Sequence, residues 1–252
     1  MDDRVTTAVR AAEKAAEVQR RGTPKEFTEK RDRDPVTGID RECEKVVRDT
    51  VKDRFPEDAF LGEESGGSTD TYGYSWIVDP VDGTANYLHG LPHYTSSVAV
   101  LKNGTPEIGV VHHSPTDDVY TAVKGEGARH NGDRINVTDK DLQDSLIATG
   151  FHPEASTDHY LTVKSLVEST QGVRRLAAAS FDLCMVAEGT VDGFYEPHLN
   201  PWDIAAGVLI VEEAGGTVTD FHSNGEWSSV EEGEVVASNG RIHKELLELS
   251  SG

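Results

Sequence analysis

The segment Trp76-Ile77-Val78-Asp79-Pro80-Val81-Asp82-Gly83-Thr84-Ala85-Asn86 constrains this chain more than any other. An apolar, β-prone run delivers two carboxylates, three residues apart, into a Pro/Gly turn; a glycine, a hydroxyl and an amide follow. A strand ending in such a turn can aim Asp79 and Asp82 at one point. Crowded hard oxygen ligands suit Mg2+, which keeps few protein carboxylates and completes its shell with water and phosphate oxygens. The Gly83-Thr84 step can turn backbone N–H groups toward an anion. Asp, Pro and Gly are also ordinary turn formers, so taken alone the segment fits a plain β-turn equally well.

Three more acidic stations accompany it. Phe60-Leu61-Gly62-Glu63-Glu64-Ser65-Gly66-Gly67 runs from an apolar step into two adjacent acids. Asn200-Pro201-Trp202-Asp203-Ile204-Ala205-Ala206-Gly207 is a loop entering a helix with an aspartate at its start. Pro35-Val36-Thr37-Gly38-Ile39-Asp40-Arg41-Glu42-Cys43-Glu44 opens an earlier helix in the same way. In this order the four stations resemble the inositol monophosphatase family of Mg2+-dependent, lithium-sensitive sugar phosphatases, which includes the archaeal and bacterial fructose-1,6-bisphosphatases of the same fold. The resemblance extends from Asp40 to Gly216, carried chiefly by D-P-x-D-G-T-x-N and W-D-x-A-A-G.

The resemblance implies an α+β fold, a layered αβαβα sandwich. An antiparallel-sheet half (1–138) and a mixed-sheet α/β half (139–252) would form one compact unit with the active site between them. It implies that Glu63, Asp79 and the carbonyl of Val81 hold a first Mg2+, that Asp79, Asp82 and Asp203 hold a second, and that a weaker third site lies near Glu63. Thr84 and Asp40 would orient and deprotonate the attacking water. Helix starts at Gly83-Thr84, near Ala177-Ala178-Ala179 and at Asp203 would meet the phosphate, and Glu196 would accept a polyol hydroxyl. Inhibition by lithium and a homodimer are further implications. The family usually has Gly-Ser/Thr-Ala where this chain has Ala177-Ala178-Ala179, which puts a side-chain contact to sugar in question there.

Local pattern leaves simpler readings beside these. Asp40 and Asp203 each read as a helix N-cap, Glu196 as a solvated loop acid, and Glu64 as a solvated neighbour of Glu63. Arg174 and Arg175 suit a second phosphate, because a guanidinium matches phosphate geometry, or are surface charges. His89, His93, His112 and His113 show no metal-ligand spacing and read as structural or surface positions.

The apolar periodicity predicts helices over Asp3–Arg21 and Asp40–Arg54, the first stopped by Gly22-Thr23-Pro24. The charged run Lys30-Arg31-Asp32-Arg33-Asp34 reads as an exposed loop. Short β-rich runs at Trp76–Val78, Ser97–Leu101, Ile108–His112 and Val119–Val123 predict antiparallel hairpins. Beyond Thr138 the pattern alternates: strands at Leu146–Thr149, Gly193–Tyr195, Thr217–Asp220 and Val235–Ala237, with helices at His159–Glu168, Ala178–Glu188, Asp203–Glu213 and Ile242–Leu249.

Acidic residues number 45 against 24 basic ones, a formal net charge of −21. Such a surface repels nucleic acid and anionic membranes, so neither is expected as a partner. The acids are spread along the chain and Arg outnumbers Lys, which reads as a solvated acidic coat of the halophile type. Cys43 and Cys184 read as buried free thiols in a reducing cytoplasm. The charged, helical N-terminus does not read as a signal peptide, and no apolar run reaches transmembrane length. The expectation is a soluble cytoplasmic protein.

The leading expectation is therefore a Mg2+-dependent phosphomonoesterase for a small polyol or sugar phosphate, inositol 1-phosphate first. Fructose 1,6-bisphosphate and a nucleotide 3′-phosphate are the alternative substrates. A haloacid-dehalogenase-type phosphatase needs two aspartates only two residues apart, which Asp79 and Asp82 do not provide. The non-enzymatic alternative is an acidic regulator that binds divalent metal.

Overall fold

The structure, a computed structural model, describes residues 3–22, 27–31, 34–70, 72–151 and 157–250. The chain opens with α1 (Asp3–Arg21), a hairpin of β1 (Phe27–Arg31) and β2 (Asp34–Thr37), and α2 (Gly38–Arg54). The charged run expected as a loop thus contributes to two paired strands, with Asp32 and Arg33 outside the described residues. Val36 and Thr37 are β-prone, and the extended state holds despite the charges before them.

Next come β3 (Ala59–Gly62), β4 (Gly66–Gly67), β5 (Tyr74–Asp82), α3 (Thr84–His89), β6 (Thr95–Lys102), β7 (Thr105–His113), β8 (Asp118–Val123), β9 (Gly127–His130) and β10 (Asp133–Arg134). These strands form an 8-stranded sheet in the order β10-β9-β8-β7-β6-β5-β3-β4. It is antiparallel except at one place: β3 runs parallel to β5, with Gly62 opposite Val78. That exception sets Gly62 and Val78 side by side in parallel, so the next residues, Glu63 and Asp79, come out together.

The second half contains β11 (Leu146–Thr149), α4 (Thr157–Ser169), β12 (Gly172–Arg174), α5 (Ala179–Glu188), β13 (Gly193–Glu196), α6 (Pro201–Glu213), β14 (Thr217–Thr219), α7 (Trp227–Val230), β15 (Val235–Ser238) and α8 (His243–Ser250). Its 5-stranded sheet, in the order β12-β11-β13-β15-β14, mixes parallel and antiparallel pairs.

Packing sets the layers. Helices α1 and α2 cover one face of the large sheet, while α5 and α6 lie between the two sheets and α4 and α8 cover the outer face of the small one. This is the αβαβα sandwich. The helix α6 is apolar nearly all round, as its sandwiched position demands. One core joins Ile77, Ala99 and Val111 of the large sheet to Leu183, Leu209, Phe194 and Ala237. A second fills the space under α1 and α2. Both cysteines are buried and free.

The strand β5 is irregular where it matters. Asp79 faces Ser97 and Asp82 faces Thr95, so β5 holds one extra residue against β6. Side chains three apart on a regular strand point to opposite faces; one extra residue at a bulge returns Asp82 to the face of Asp79. Pro80, which has no N–H for a ladder, sits inside this bulge. Its carbonyl is satisfied from another layer: the Gln19 side chain of α1, fully buried, donates to Pro80 O at 2.7 Å and to Thr95 O at 3.2 Å. Gln19→Leu removes both of these donations and the acceptor of the Ser114 hydroxyl, and is expected to lower unfolding stability by about 2–3 kcal/mol. Urea denaturation would measure this, and an unchanged midpoint would refute the tether.

Candidate active site

The acids predicted from separate segments meet at the seam between the halves. Burial raises the Asp79 carboxyl well above the ordinary value, and Glu63, Asp82 and Asp203 raise it further in that order. Asp203, half-buried, is pushed up to about 7 by burial, then by Asp82 and Glu63. Asp82 is raised chiefly by burial, against the lowering effect of Ser180 and His93. Like charges gathered this way are unfavourable until a proton or a cation neutralises them.

Each aspartate is held by one oxygen on a main-chain donor. Asp79 Oδ1 accepts the Val81 N–H at 2.9 Å. Asp82 Oδ2 accepts both the N–H and the hydroxyl of Ser180, at 2.7 and 2.6 Å. Asp203 Oδ2 accepts the Asn200 N–H at 2.7 Å. Asp40 Oδ2 accepts the Thr37 N–H at 2.8 Å and the Thr37 hydroxyl. The N-cap reading of Asp40 and Asp203 is therefore corrected. The caps are Thr37 and Asn200, and the two aspartates sit three residues on, where a side chain reaches back to the cap's own N–H. This geometry pins one oxygen and leaves the other directed outward.

For Asp40, that other oxygen meets Thr84. The Thr84 hydroxyl lies 2.8 Å from Asp40 Oδ1 and 2.9 Å from Val81 O, and its single proton can serve one of them at a time. Gly83 caps the short helix α3 with φ 88°, and a Cβ there would fall 2.9 Å from His93 O and 3.2 Å from the Ala178 Cβ. Only glycine allows this approach between the two halves. Asn86 ties the seam from the other side, donating to Leu176 O at 2.7 Å and His93 O at 2.8 Å.

Other expectations fare differently. The start of α5 was expected to face phosphate, but the N–H groups of Ala179 and Ser180 are turned to the Asp82 carboxylate. A carboxylate is itself the anion that a helix start favours. Glu196 at the end of β13 is half-buried and raised well above the usual range by burial, then by Asp182, Asp203 and Asp82, with Arg175 opposing. It borders the site. Arg175 lies over the Phe151 ring, 4.7 Å from its centroid, and donates to Phe151 O, while Arg174 is exposed and bonds its neighbour's carbonyl. His112 and His113 are buried and His89 exposed, as structural or surface positions would be. His93 does more: its Nε2 lies 2.9 Å from the buried Asp182 carboxylate and its charge bears on Asp82. Pattern reading also missed Ser180, Asn86 and Glu44, whose partners are distant in sequence. A cavity of about 680 Å3, lined among others by Asn103, Lys124, Glu212 and Trp227, is bounded by none of these acids.

Among the described residues no three His, Cys, Asp or Glu side chains close into a finished metal cage. The raised acids mark where positive charge would be accepted. The donors are hard oxygens throughout.

Two packed α/β halves with a seam of carboxylates define the class of the sugar-phosphatase sandwich. The profile of the inositol monophosphatase family matches residues 1–251. The putative Nus factor SuhB of Neisseria meningitidis is 40% identical over 260 residues, covering 100% of this chain and 99% of that protein. Among solved structures, the extragenic suppressor protein suhB of Bartonella henselae superposes with a TM-score of 0.92 at 33% identity, covering 97% of each chain. Inositol monophosphatase from Anabaena (Nostoc) gives a TM-score of 0.88 at 36% identity, covering 97% of this chain and 94% of that one. The chain belongs to the inositol monophosphatase family.

The relatives' names correct one expectation. A Nus factor implies interaction with the transcription machinery, so the exclusion of nucleic-acid-associated partners drawn from net charge fails. Net charge governs adhesion to a phosphate backbone; it does not prevent recruitment through a protein surface. Among the described residues no helix is long and apolar enough to cross a membrane.

Two measurements follow from the geometry. Ala177 holds φ 61°, in the left-handed region that favours glycine. Such a conformation costs an L-residue about 1–2 kcal/mol, and part of this is offset by the flexibility glycine adds to the unfolded chain. Ala177→Gly is expected to raise stability by up to about 1 kcal/mol on these terms; a loss of stability would contradict it. Second, Asp79, Asp82 and Asp203 are raised in the folded state, so the folded protein retains protons that the unfolded chain has released. Their stabilising contribution is complete below the ordinary carboxylate value and is lost as pH rises through the folded value, about 7 for Asp203. In chelator the melting temperature should fall between about pH 5 and pH 8, less steeply in Asp203→Asn; equal slopes would refute the assignment.

Proposed function

We propose that this chain is a Mg2+-dependent phosphomonoesterase acting on a small polyol or sugar phosphate, inositol 1-phosphate first. The single observation that carries the reading is the convergence of Glu63, Asp79, Asp82 and Asp203 beside the Asp40–Thr84 pair. Glu63, Asp79 and the Val81 carbonyl would hold one ion, and Asp79, Asp82 and Asp203 the other. When bound, Mg2+ supplies Lewis acidity toward phosphate and lowers the pKa of water.

The chain's own residues supply the proton path and the binding. With its proton given to Asp40 Oδ1, the Thr84 hydroxyl keeps lone pairs for a proton of the attacking water. Asp40 is held for that task by Thr37 on its far oxygen. Proton transfer by a positioned group of this kind contributes about 10²–10⁴-fold to a rate. The backbone at Gly83 and Thr84 would contact phosphate, and Glu196 would accept a polyol hydroxyl from the second half. Fructose 1,6-bisphosphate would engage the same acids, with Arg175 beside Glu196 as the group for its second phosphate.

The relatives named Nus factor favour a second role, beside the transcription machinery, which need not depend on turnover. Complementation of a strain lacking such a relative, by wild type and by Asp79→Asn, separates the two: rescue by the wild type alone would tie this role to turnover.

Asp79→Asn keeps an oxygen for the Val81 N–H and should preserve the fold. Phosphate release from inositol 1-phosphate is expected to fall by at least about 10³-fold, on the scale of losing an essential catalytic group. Undiminished turnover would place the chemistry elsewhere, and no release by the wild type from inositol, fructose or nucleotide phosphates would reject the activity.

A further inference from the structure

Glu63 stands at the end of β3, and a ligand there needs its backbone fixed on both sides. Behind it, the Glu63 N–H bonds Val78 O at 3.1 Å, continuing the parallel pairing of β3 with β5. Ahead of it, the following two N–H groups leave the sheet. Both turn to one side chain: Glu44 Oε2 accepts the Glu64 N–H at 2.7 Å and lies 3.3 Å from the Ser65 N.

Glu44 is nearly fully buried, and it sits one helical turn after Asp40 on α2. Its carboxylate lies flat against Gly62, where a Cβ would fall 2.4 Å from Oε2 and 2.5 Å from the carboxyl carbon. Only a residue without a side chain admits the carboxylate this close. Arg48, a turn further along, approaches Glu44 Oε1 at 3.6 Å, bonds the Ser65 hydroxyl and stacks on the Phe60 ring. The Glu63–Ser65 corner is thus moulded onto α2 from two directions. A buried carboxylate is an expensive way to hold a loop unless the position of that loop matters.

We propose that Glu44 is a positioning residue for the Glu63 loop. It fixes the carboxylate of Glu63 for a divalent cation, and α2 thereby sets two parts of the site, Asp40 facing Thr84 and Glu44 facing the loop. This rests on the phosphatase reading above. Glu44 itself touches neither substrate nor cation. Nothing in local pattern marks it, since an acid four residues after another on a helix reads as surface.

Two substitutions separate position from charge. Glu44→Gln keeps the reach and an acceptor oxygen but loses the charge; Glu44→Asp keeps the charge but is one methylene too short. Calorimetric titration of each full chain with Mg2+ alone is the readout, with melting in chelator as the check on folding. Positioning predicts that Glu44→Asp weakens Mg2+ binding by about tenfold, within the range for partners that orient a ligand, and that Glu44→Gln weakens it less. A larger loss in Glu44→Gln than in Glu44→Asp means that only the field of the charge matters and overturns the proposal. Unchanged affinity in both overturns it, as does a variant that no longer folds, which would assign Glu44 to the fold alone. A wild-type chain that binds no Mg2+ would overturn this proposal and the phosphatase reading together, whereas wild-type binding with unaltered variants overturns this one only.

Discussion

Carboxylates crowded without a counter-charge are the constraint on which the rest of this structure turns. Burial raises the proton affinity of Asp79 and Asp203, and neighbouring acids add to it: Glu63, Asp82 and Asp203 at Asp79, Asp82 and Glu63 at Asp203. Left mobile, such side chains would swing apart into water. Here each aspartate is pinned by one oxygen to a main-chain N–H: Asp79 to Val81, Asp82 to Ser180, Asp203 to Asn200 and Asp40 to Thr37. A charge-assisted bond of this kind is roughly twice as strong as a neutral one, so folding energy holds the repulsion in place. The arrangement is pre-organised toward a cation, and the unfavourable charge is what gives binding its driving force.

The layers serve that constraint. The large sheet supplies Asp79 and Asp82 from one bulged strand, α2 supplies Asp40, and the sandwiched α6 supplies Asp203. The sandwiched helix α5 donates its first N–H groups to Asp82 across the seam. Gly83 against Ala178, and Asn86 on the Leu176 carbonyl, close the two halves over the same line. The negative surface poses a separate question. Its sign says nothing about recruitment through a protein surface, and relatives in the family carry the name Nus factor. Fold and site are one matter and partnership another.

Much of the architecture could be read from pattern because its causes are local. The period of α1, the Val-rich runs of β5 to β8 and the apolar α6 each follow from side chains within one element. The hairpin β1–β2 was hidden by charge, which says little about backbone when the residues after it are β-prone. Asp40 and Asp203 looked like helix caps because the cap position differs from theirs by only three residues, and both Thr37 and Asn200 are themselves good caps. The bonds from the α5 start to Asp82 were not legible, because Asp82 comes from the other half of the chain.

The amino-acid sequence by itself determined the elements, the acidic residues with their order, and the D-P-x-D-G-T turn that places two carboxylates beside a glycine and a hydroxyl. Those depend on contacts within a few residues. Tertiary structure decided which oxygen of each acid is tethered and which faces the site. It also decided that β3 runs parallel to β5, so that Glu63 emerges beside Asp79, and that Ser180, Asn86 and Glu44 belong to the same machinery. The physical reason is that a hydrogen bond between residues 20 to 98 positions apart leaves no mark on local periodicity; it exists only once the layers have packed.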